Sequence, residues 1–318
     1  MESHLVLGIG ELLWDVRDEG SALETESLGG APANFAVMAG RLGNHSVLLS
    51  RIGRDELGRR AVDQLDPLPA DASKLQVDPA HETGRVTVAF DLGQPSYTIH
   101  QPAAWDFLEL SDSWVQLAER ADVLCFGSLA QRSHESRQTI QTLAAQAKSS
   151  CIRIFDVNLR APFYSSEILQ ESLELATVLK MNDAEVPLVL DLLGLPVQDG
   201  PVVEQLRCGA QRMLAEFPIL QMVAVTRGGE GSLLVTRQEW NEHPGRVVKV
   251  ADTIGAGDAF TAALAHYLLR GASLATMNEA GNQWGGWLAS QAGAMPDLPE
   301  ETLAGIAAEI ATGSHRGA

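Results

Sequence analysis

The sequence contains few cysteines, and the three that it has are far apart. Cys125, Cys151 and Cys208 show no metal-site spacing, and their odd number argues against a disulfide framework. Cys125 and Cys151 lie in apolar runs, where a buried free thiol is the ordinary structure. Such a cysteine content is typical of a reducing compartment, and we expect a cytoplasmic location.

Long apolar runs are also missing. No stretch approaches the roughly 18 consecutive apolar residues of a transmembrane helix. The first residues, MESHLVLGIGELLWDV, lack the basic segment followed by an apolar one that a secretory signal has. We therefore expect neither a membrane segment nor a signal peptide.

Basic residues are scarce. Lys and Arg total 23 against 41 Asp and Glu, so the formal net charge is −18. Such a surface repels the phosphates of nucleic acids and of anionic lipids, and we expect neither nucleic acid nor membrane as a partner. A single phosphate ligand is still compatible, because helix N-termini and backbone N–H groups bind phosphate without net positive charge.

What the sequence does contain is a regular alternation of strand and helix patterns. HLVLGIG reads as a buried strand, and from about residue 111 each helical pattern is followed by a short apolar strand. This rhythm predicts the α/β class, with a central, mostly parallel sheet flanked by helices. Further strands are predicted for GSLLVT and RVVKV, and a single strand for Ser46–Ile52. Three helices are predicted near the end of the chain, at 257–270, 273–291 and 299–311.

Two segments interrupt the alternation. Residues 11–28 have no helical period, and 83–100 alternate apolar and polar residues around a turn, as a β-hairpin does. We predict that about 11–28 and 83–107 form a small β lid over one end of the sheet. Without an internal repeat or a low-complexity linker, residues 1–318 are predicted to form a single domain.

The most informative motif is Asp252-Thr-Ile-Gly-Ala-Gly-Asp258, which leads directly into an apolar helix. Gly255 and Gly257 allow backbone N–H groups to converge on an anion, and the helix dipole favours negative charge there. Asp258 can be a simple helix cap, but capping requires neither the glycines nor Asp252. A helix N-terminus is expected to lower the pKa of Asp258, and a loose phosphoryl-transfer transition state tolerates so weak a base.

A second glycine motif lies near the start of the chain. In Gly29-Gly30-Ala-Pro-Ala-Asn34 the backbone can approach a ligand closely, and Asn34 offers both a donor and an acceptor. Together with Asp15, which follows the first strand, this motif is interpreted as a binding site for sugar hydroxyls. On its own, Gly-Gly before a helix is usually a turn.

Three further segments carry polar groups at predicted strand ends. Asn182-Asp-Ala-Glu185 offers oxygen ligands for Mg²⁺ through water, or is simply the acidic first turn of a helix. The glycines of 225–231 can touch phosphate, or form a hairpin, or both. Arg160 can contact ligand oxygens, or pair with Asp156. Dinucleotide-binding, Walker-type and nucleophile-elbow motifs are absent from the sequence, and the histidines show no metal spacing.

These five segments, in this order, resemble the ribokinase-like (PfkB) carbohydrate kinase family over nearly the whole chain. The two glycine motifs, at 29–34 and 252–258, are the most specific part of the likeness. The resemblance implies the family fold, with a mostly parallel sheet, flanking helices and a β lid over the sugar. It also implies ATP-dependent transfer of a phosphoryl group to a sugar hydroxyl, with ATP and Mg²⁺ and, in many members, a monovalent cation such as K⁺.

Roles for individual residues follow from the same resemblance. Asp258 would be the catalytic base, and Gly255, Ala256 and Gly257 would form the anion hole. The sugar would be held by Asp15, Gly29, Gly30, Asn34 and Arg160, and ATP would be held by Asn182, Thr226, Gly228, Gly231 and Asn282. Glu185 would place Mg²⁺ through water. Asp252 matches the region of the monovalent cation.

Within the family, the chain looks most like a fructokinase. Gly10-Glu11 before Trp14-Asp15, together with Asp156-Val-Asn158-Leu-Arg160, resembles that subgroup. Kinases for 2-keto-3-deoxygluconate, ribose, tagatose derivatives or nucleosides share much of the pattern and remain alternatives. A non-catalytic sugar- or nucleotide-binding regulator is a third alternative, against which the retained Asp258 argues. The resemblance also suggests a homodimer formed through lid strands.

Overall fold

The structure, a computed structural model, describes residues 3–17, 25–91, 94–197 and 200–312. In chain order its strands are β1 Leu5–Ile9, β2 Leu13–Arg17, β3 Thr25–Gly29, β4 His45–Leu49, β5 Arg51–Gly53, β6 Gln76–Asp78, β7 Gly84–Asp91, β8 Gln94–Ile99, β9 Val123–Gly127, β10 Ile152–Asp156, β11 Val178–Asn182, β12 Met222–Thr226, β13 Ser232–Thr236 and β14 Trp240–His243. Its α-helices are α1 Ala31–Arg41, α2 Glu56–Leu65, α3 Asp112–Arg120, α4 His134–Gln146, α5 Ser166–Leu175, α6 Glu185–Leu192, α7 Val202–Glu216, α8 Ala256–Leu268, α9 Leu274–Ala289 and α10 Glu300–Thr312.

An eight-stranded sheet forms the centre of the described fold. Its order is β14-β13-β12-β11-β10-β9-β1-β4. The pairs from β4 to β12 are parallel, whereas β13 and β14 are added antiparallel at one edge. The predicted α/β class and the mostly parallel sheet are therefore confirmed.

Helices cover both faces of this sheet because strand side chains alternate between the faces. In β1, Leu5, Leu7 and Ile9 pack into a cluster with α3, α4, α5, α6 and α7. Val6 points to the other face, where it packs with α1, α8, α9 and α10. Each large apolar side chain buried in this way contributes on the order of 1.5–3 kcal/mol, so the two clusters hold the strands in register.

A second, four-stranded sheet lies in the region predicted as the lid. Its order is β3-β2-β7-β8, and β7 and β8 form the predicted hairpin. Trp14 of β2 is buried, and its indole N–H donates to the carbonyl of Leu57 at 3.0 Å, which ties this sheet to α2. Residues 18–24 and 92–93 of the predicted lid lie outside the described residues.

A short 3₁₀ helix, Ala104–Phe107, joins the lid region to the body of the molecule. The Arg132 guanidinium binds both carboxylate oxygens of Asp106, each at 2.7 Å, and lies 3.9 Å from the centroid of the Trp105 ring. Arg132 and Asp106 are both nearly inaccessible to solvent. A contact through two parallel hydrogen bonds is rigid, so it fixes the position of this 3₁₀ helix against the body of the molecule.

Two strand predictions are wrong in detail. RVVKV, residues 246–250, is not a strand; the edge strand is Trp240–His243, and it ends before Pro244 and Gly245, whose φ is +89°. Val247 and Val250 are then exposed, because no strand in the described ranges pairs with them. Ser46–Ile52 is divided between β4 and β5 at Ser50, whose hydroxyl donates to the Gly10 carbonyl.

The helix predictions fare better. The three C-terminal helices match α8, α9 and α10 to within two residues. In the ranges that the structure describes, every helix is either too short or too polar to cross a bilayer.

Candidate active site

A cavity of about 1050 Å³ opens at the carboxyl ends of the central strands, beside the four-stranded sheet. Ligands of open α/β sheets bind at this edge because the loops that follow the strands converge there. Most of the residues singled out in the sequence line it: Asp15, Gly30, Asn34, Arg160, Asn182, Thr226, Gly228, Gly231, Gly255, Ala256, Gly257, Asp258 and Asn282. Gly29, Glu185 and Asp252 do not line this cavity. The fold thus brings together segments that are more than 200 residues apart in sequence.

Asp258 lies in the first turn of α8, and its side chain is buried. The amide nitrogen of Asn34, from α1, donates to its Oδ2 at 2.8 Å. Burial raises the pKa of Asp258 to about 7, assisted by the nearby Asp156 carboxylate, although Lys180, Asn34 and Arg160 oppose the rise.

The expected fall in the pKa of Asp258 is therefore wrong. The helix N-terminus favours the carboxylate, but removing the group from water penalises it more. A buried carboxyl with a pKa of about 7 is a much better general base near neutral pH than an ordinary aspartate.

The turn before α8 has the conformation that the glycines allow. Gly255 has a φ of +78°, and a Cβ at this position would lie about 3.1 Å from Leu288 and Ala294. The first N–H groups of a helix lack intrahelical acceptors, and here they lie at the cavity wall. This turn is suited to binding an anion next to Asp258.

Lys180 and Asp156 form a buried ion pair under the same turn. The Lys180 ammonium is 3.1 Å from Asp156 Oδ1, and the Thr261 hydroxyl donates to Asp156 Oδ2 at 2.9 Å. A Cβ on Gly257 would lie only 2.9 Å from the Lys180 nitrogen, so the ammonium sits against the anion-binding turn. Burial disfavours the charge of Lys180, but Asp156 and Asp258 outweigh it, and the pKa of Lys180 is raised.

Sequence reasoning missed Lys180. It occurs two residues before Asn182 in an otherwise apolar strand, and a charged residue in a buried strand was the signal. The alternative pairing of Arg160 with Asp156 is not seen: Arg160 is exposed at the cavity, and its guanidinium donates to the Leu159 carbonyl at 3.2 Å.

Asn182 and Glu185 bind each other across the start of α6. The Asn182 N–H donates to Glu185 Oε2 at 2.8 Å, and the Glu185 N–H donates to Asn182 Oδ1 at 2.9 Å. Glu185 Oε1 also accepts from the Leu159 N–H at 2.8 Å. The helix-start interpretation is therefore correct as structure. No cluster of three or more His, Cys, Asp or Glu suited to a metal ion occurs in the described ranges.

The remaining glycines and Asn282 lie toward the far end of the cavity. Gly228 and Gly231 have φ values of +54° and +85°, and they turn β12 into the antiparallel β13, so the hairpin interpretation is correct and does not remove them from the cavity. The Asn282 amide donates to the Ser232 hydroxyl at 2.6 Å, which holds Asn282 at this end. Trp284 is buried, in edge contact with Trp287, as a packing residue rather than a stacking surface.

Asp252 holds the loop before α8. Its Oδ1 accepts from the Ile254 N–H at 3.1 Å, and its Oδ2 accepts from the Gly293 N–H at 3.4 Å. Asp252 thus links the turn before α8 to Gly293, in the loop that follows α9.

The opposite end of the cavity is formed by the loop after β1 and the start of α1. Gly30, with a φ of +115°, lies so close to this loop that a Cβ would be 2.4 Å from the Glu11 carbonyl oxygen. Asp15 Oδ2 would lie 3.3 Å from a Cβ on Gly29, so Gly29 stands directly behind the Asp15 carboxylate. Glu11 lines the cavity as well and had no role assigned from the sequence.

The model of the pfkB family carbohydrate kinases matches residues 19–301 of the chain. The chain belongs to the pfkB family of carbohydrate kinases. It is therefore an enzyme that transfers a phosphoryl group to a carbohydrate, and the cavity described above is its candidate active site.

Individual relatives agree with this assignment. A Pyrococcus horikoshii protein described as the uncharacterized sugar kinase PH1459 is 30% identical over 272 residues, 82% of this chain and 81% of the relative. Its crystal structure superposes with a TM-score of 0.81, covering 96% of this chain and 99% of that one, and a further structure of it is a complex with ATP. The fructokinase of Escherichia coli is 30% identical over 264 residues, 80% of this chain and 81% of the relative.

A fructokinase from Vibrio cholerae has been solved with fructose, ADP and a calcium ion bound. That structure has a TM-score of 0.78 and 29% identity, and covers 96% of this chain and 98% of its own. A double mutant of it has been solved with fructose, ADP and a potassium ion.

Proposed function

We propose that this carbohydrate kinase uses ATP to phosphorylate a hydroxyl of a small sugar, fructose, with Asp258 as the base. The observation that carries the proposal is the position of Asp258: a buried carboxyl, held by Asn34, directly beside an anion-binding helix N-terminus. A base and an anion site in contact are what phosphoryl transfer to a hydroxyl requires. Resemblance to kinases supports the same reaction.

In the proposed reaction the sugar binds at the end of the cavity formed by Asp15, Gly30, Asn34 and Arg160, and the lid closes over it. The γ-phosphate of ATP lies at the N–H groups of 255–257. Asp258 accepts the proton of the attacking hydroxyl, whose oxygen forms a bond to the γ-phosphorus as the bond from phosphorus to the ADP oxygen breaks. Lys180 lies against this turn, so its charge would stabilise the anionic phosphoryl group during its transfer.

We propose that ATP is held by Asn182, Thr226, Gly228, Gly231 and Asn282, all of which line the cavity. Asn182 and Thr226 end β11 and β12, which β10 and β9 separate from β1 and the sugar residues that follow it. Mg²⁺ bound to ATP would neutralise its phosphate charge. Both Glu185 oxygens already accept backbone N–H groups, so Glu185 suits contact with Mg²⁺ through water rather than direct ligation. A potassium-type ion would lie near Asp252, where the loop is closed by backbone groups.

Fructose is proposed as the substrate because fructokinases of several organisms resemble the chain at 28–30% identity over most of its length. The Vibrio cholerae fructokinase that binds fructose also superposes over nearly the whole chain. Kinases for 2-keto-3-deoxygluconate, ribose, tagatose derivatives or nucleosides remain the second candidates. A non-catalytic regulator is disfavoured because Asp258 and the anion-binding turn are both in place.

The substrate assignment is tested by ADP release from Mg·ATP with fructose, ribose, 2-keto-3-deoxygluconate, tagatose, adenosine and no sugar. We expect strong release with fructose and background release without sugar. Release with another sugar alone would overturn the fructose assignment and keep the reaction. Absence of release with every acceptor, from folded protein, would favour the regulator.

The pH dependence of turnover gives a second test. Because the pKa of Asp258 is raised to about 7, the free enzyme loses its base as the pH falls through 7. We expect kcat/KM for the sugar to fall about tenfold per pH unit below a midpoint near 7. Rates at pH 5.5–9 with circular dichroism at each pH would show this; an unchanged kcat/KM down to pH 5 would contradict it.

Two further elements of the proposal concern assembly and location. β3 and β8 are the edge strands of the four-stranded sheet, and an edge strand can pair with a second copy of the chain. A homodimer through the lid is therefore proposed, to be checked by light scattering. The cytoplasmic location stays a prediction from cysteine content.

A further inference from the structure

Glu11 is a buried acid of the cavity wall that the proposed mechanism does not use. It follows β1 directly, and its side chain is only 3% exposed. Its own N–H and that of Ala31, at the start of α1, stabilise its carboxylate. These contacts leave Oε2 shielded from solvent and without a hydrogen-bond partner among the described residues.

A cap for α1 would not require this arrangement. One carboxylate oxygen is enough to accept the N–H groups, and a buried acceptor without a donor costs about 1–3 kcal/mol. Consistent with this cost, burial raises the pKa of Glu11 to about 7, and the neighbouring Asp258 adds to the rise. An acid kept at such a cost in the wall of a binding cavity is a candidate for a function there.

Asn34 shows the same feature on the neighbouring element. Its Nδ2 is engaged with Asp258, which fixes the orientation of the amide, and its Oδ1 is buried and finds no donor in the described part of the chain. The sugar end of the cavity therefore contains two unsatisfied acceptors, on Glu11 and Asn34. Acceptors of this kind are complementary to a ligand rich in hydroxyl donors.

We propose that Glu11 is a substrate-positioning residue, and that its Oε2 accepts a hydrogen bond from a sugar hydroxyl other than the one phosphorylated. This inference rests on the proposed function. The contact requires the carboxyl to turn toward the cavity, and the terminal torsion of glutamate is soft enough to allow this. The predicted phosphoryl acceptor is thus a polyhydroxy compound. The contact with Glu11 would also make the enzyme discriminate against ligands with a single hydroxyl.

The experiment combines substitutions at Glu11 with deoxy analogues of the sugar that the wild-type enzyme phosphorylates. For the wild type, one deoxy analogue is expected to lose about 10–100-fold in kcat/KM, the range for a hydrogen bond to a charged group. In Glu11→Ala, kcat/KM for the complete sugar falls by a similar factor, and removal of the same hydroxyl then costs less than threefold. KM for ATP is expected to stay within about threefold. The decisive result is that removing this hydroxyl costs much less in Glu11→Ala than in the wild type. A damaged fold would instead lower the rate with every analogue by the same factor.

Glu11→Gln repeats the cycle with a side chain that keeps one oxygen for the Ala31 N–H, in case Glu11→Ala does not fold. Glu135→Ala, at an exposed acid in the first turn of α4, is the matched control and is expected to behave like the wild type. The inference is overturned if the loss in kcat/KM from Glu11→Ala or Glu11→Gln and the loss from each deoxy analogue multiply when the two changes are combined. Glu11 would then make no contact with a sugar hydroxyl, while the assignment as a sugar kinase would stand. A wild-type enzyme that phosphorylates no polyhydroxy acceptor would overturn both.

Discussion

Asp258→Asn is expected to lower kcat by at least about a hundredfold, which is within the range for loss of a general base. The asparagine keeps an oxygen that can accept from Asn34, so the geometry of the site is retained while the base is lost. ATP affinity is expected to change less than about threefold. Single-turnover kinetics and calorimetric titration with ATP measure the two effects separately.

The same variant is expected to be more stable than the wild type at pH 8. Because the pKa of Asp258 is raised from 3.8 to about 7, its ionisation above pH 7 opposes folding, and the neutral asparagine removes that cost. The gain in free energy of unfolding is bounded by about 4 kcal/mol. Below pH 4 the carboxyl is neutral in both folded and unfolded chains, so the gain disappears.

Thermal melts at pH 4 and pH 8 test whether Asp258→Asn is more stable than the wild type at the higher pH alone. Asp112→Asn, which alters an exposed acid in the first turn of α3, is the matched control and is expected to change neither kcat nor the pH dependence of stability. Near-normal turnover of Asp258→Asn would show that Asp258 is not the base. A variant destabilised equally at both pH values would show that burial does not penalise the charge of Asp258.

Lys180→Met is expected to have the second largest effect. Among the described residues it leaves the buried Asp156 carboxylate with only the neutral Thr261 hydroxyl as a donor, and breaking a buried ion pair in this way costs about 3–5 kcal/mol. Lys180 also lowers the pKa of Asp258, so its loss moves the acid limb of the kcat/KM profile above pH 7. Denaturant unfolding and the pH–rate profile are the measurements.

The double variant Asp156→Asn, Lys180→Met separates charge from packing. With both charges removed, no ion is left unpaired, and most of the lost stability is expected to return. Activity is expected to remain low, because the positive charge beside the anion-binding turn is still missing. Full recovery of turnover in the double variant would contradict the role of Lys180 at the phosphoryl group.

Local patterns were sufficient for the fold class. Apolar strands of about five residues between amphipathic helices predict a covered parallel sheet, and β9, β10, β11 and β12 follow that pattern closely. Edge segments were less predictable. RVVKV has the composition of a strand, but Pro244 and Gly245 end β14 before it, and none of the strands that the structure describes pairs with it.

By itself the sequence predicted which segments meet at the candidate site, because glycine turns and polar residues at strand ends can be recognised from the local sequence. The tertiary structure alone decided how those groups behave. Burial reversed the expected direction of the pKa of Asp258, and the fold placed Lys180 against the turn before α8. It also left Glu11 Oε2 without a hydrogen-bond partner among the residues that the structure describes. These properties depend on desolvation and on distances between groups far apart in the chain, which no local pattern records.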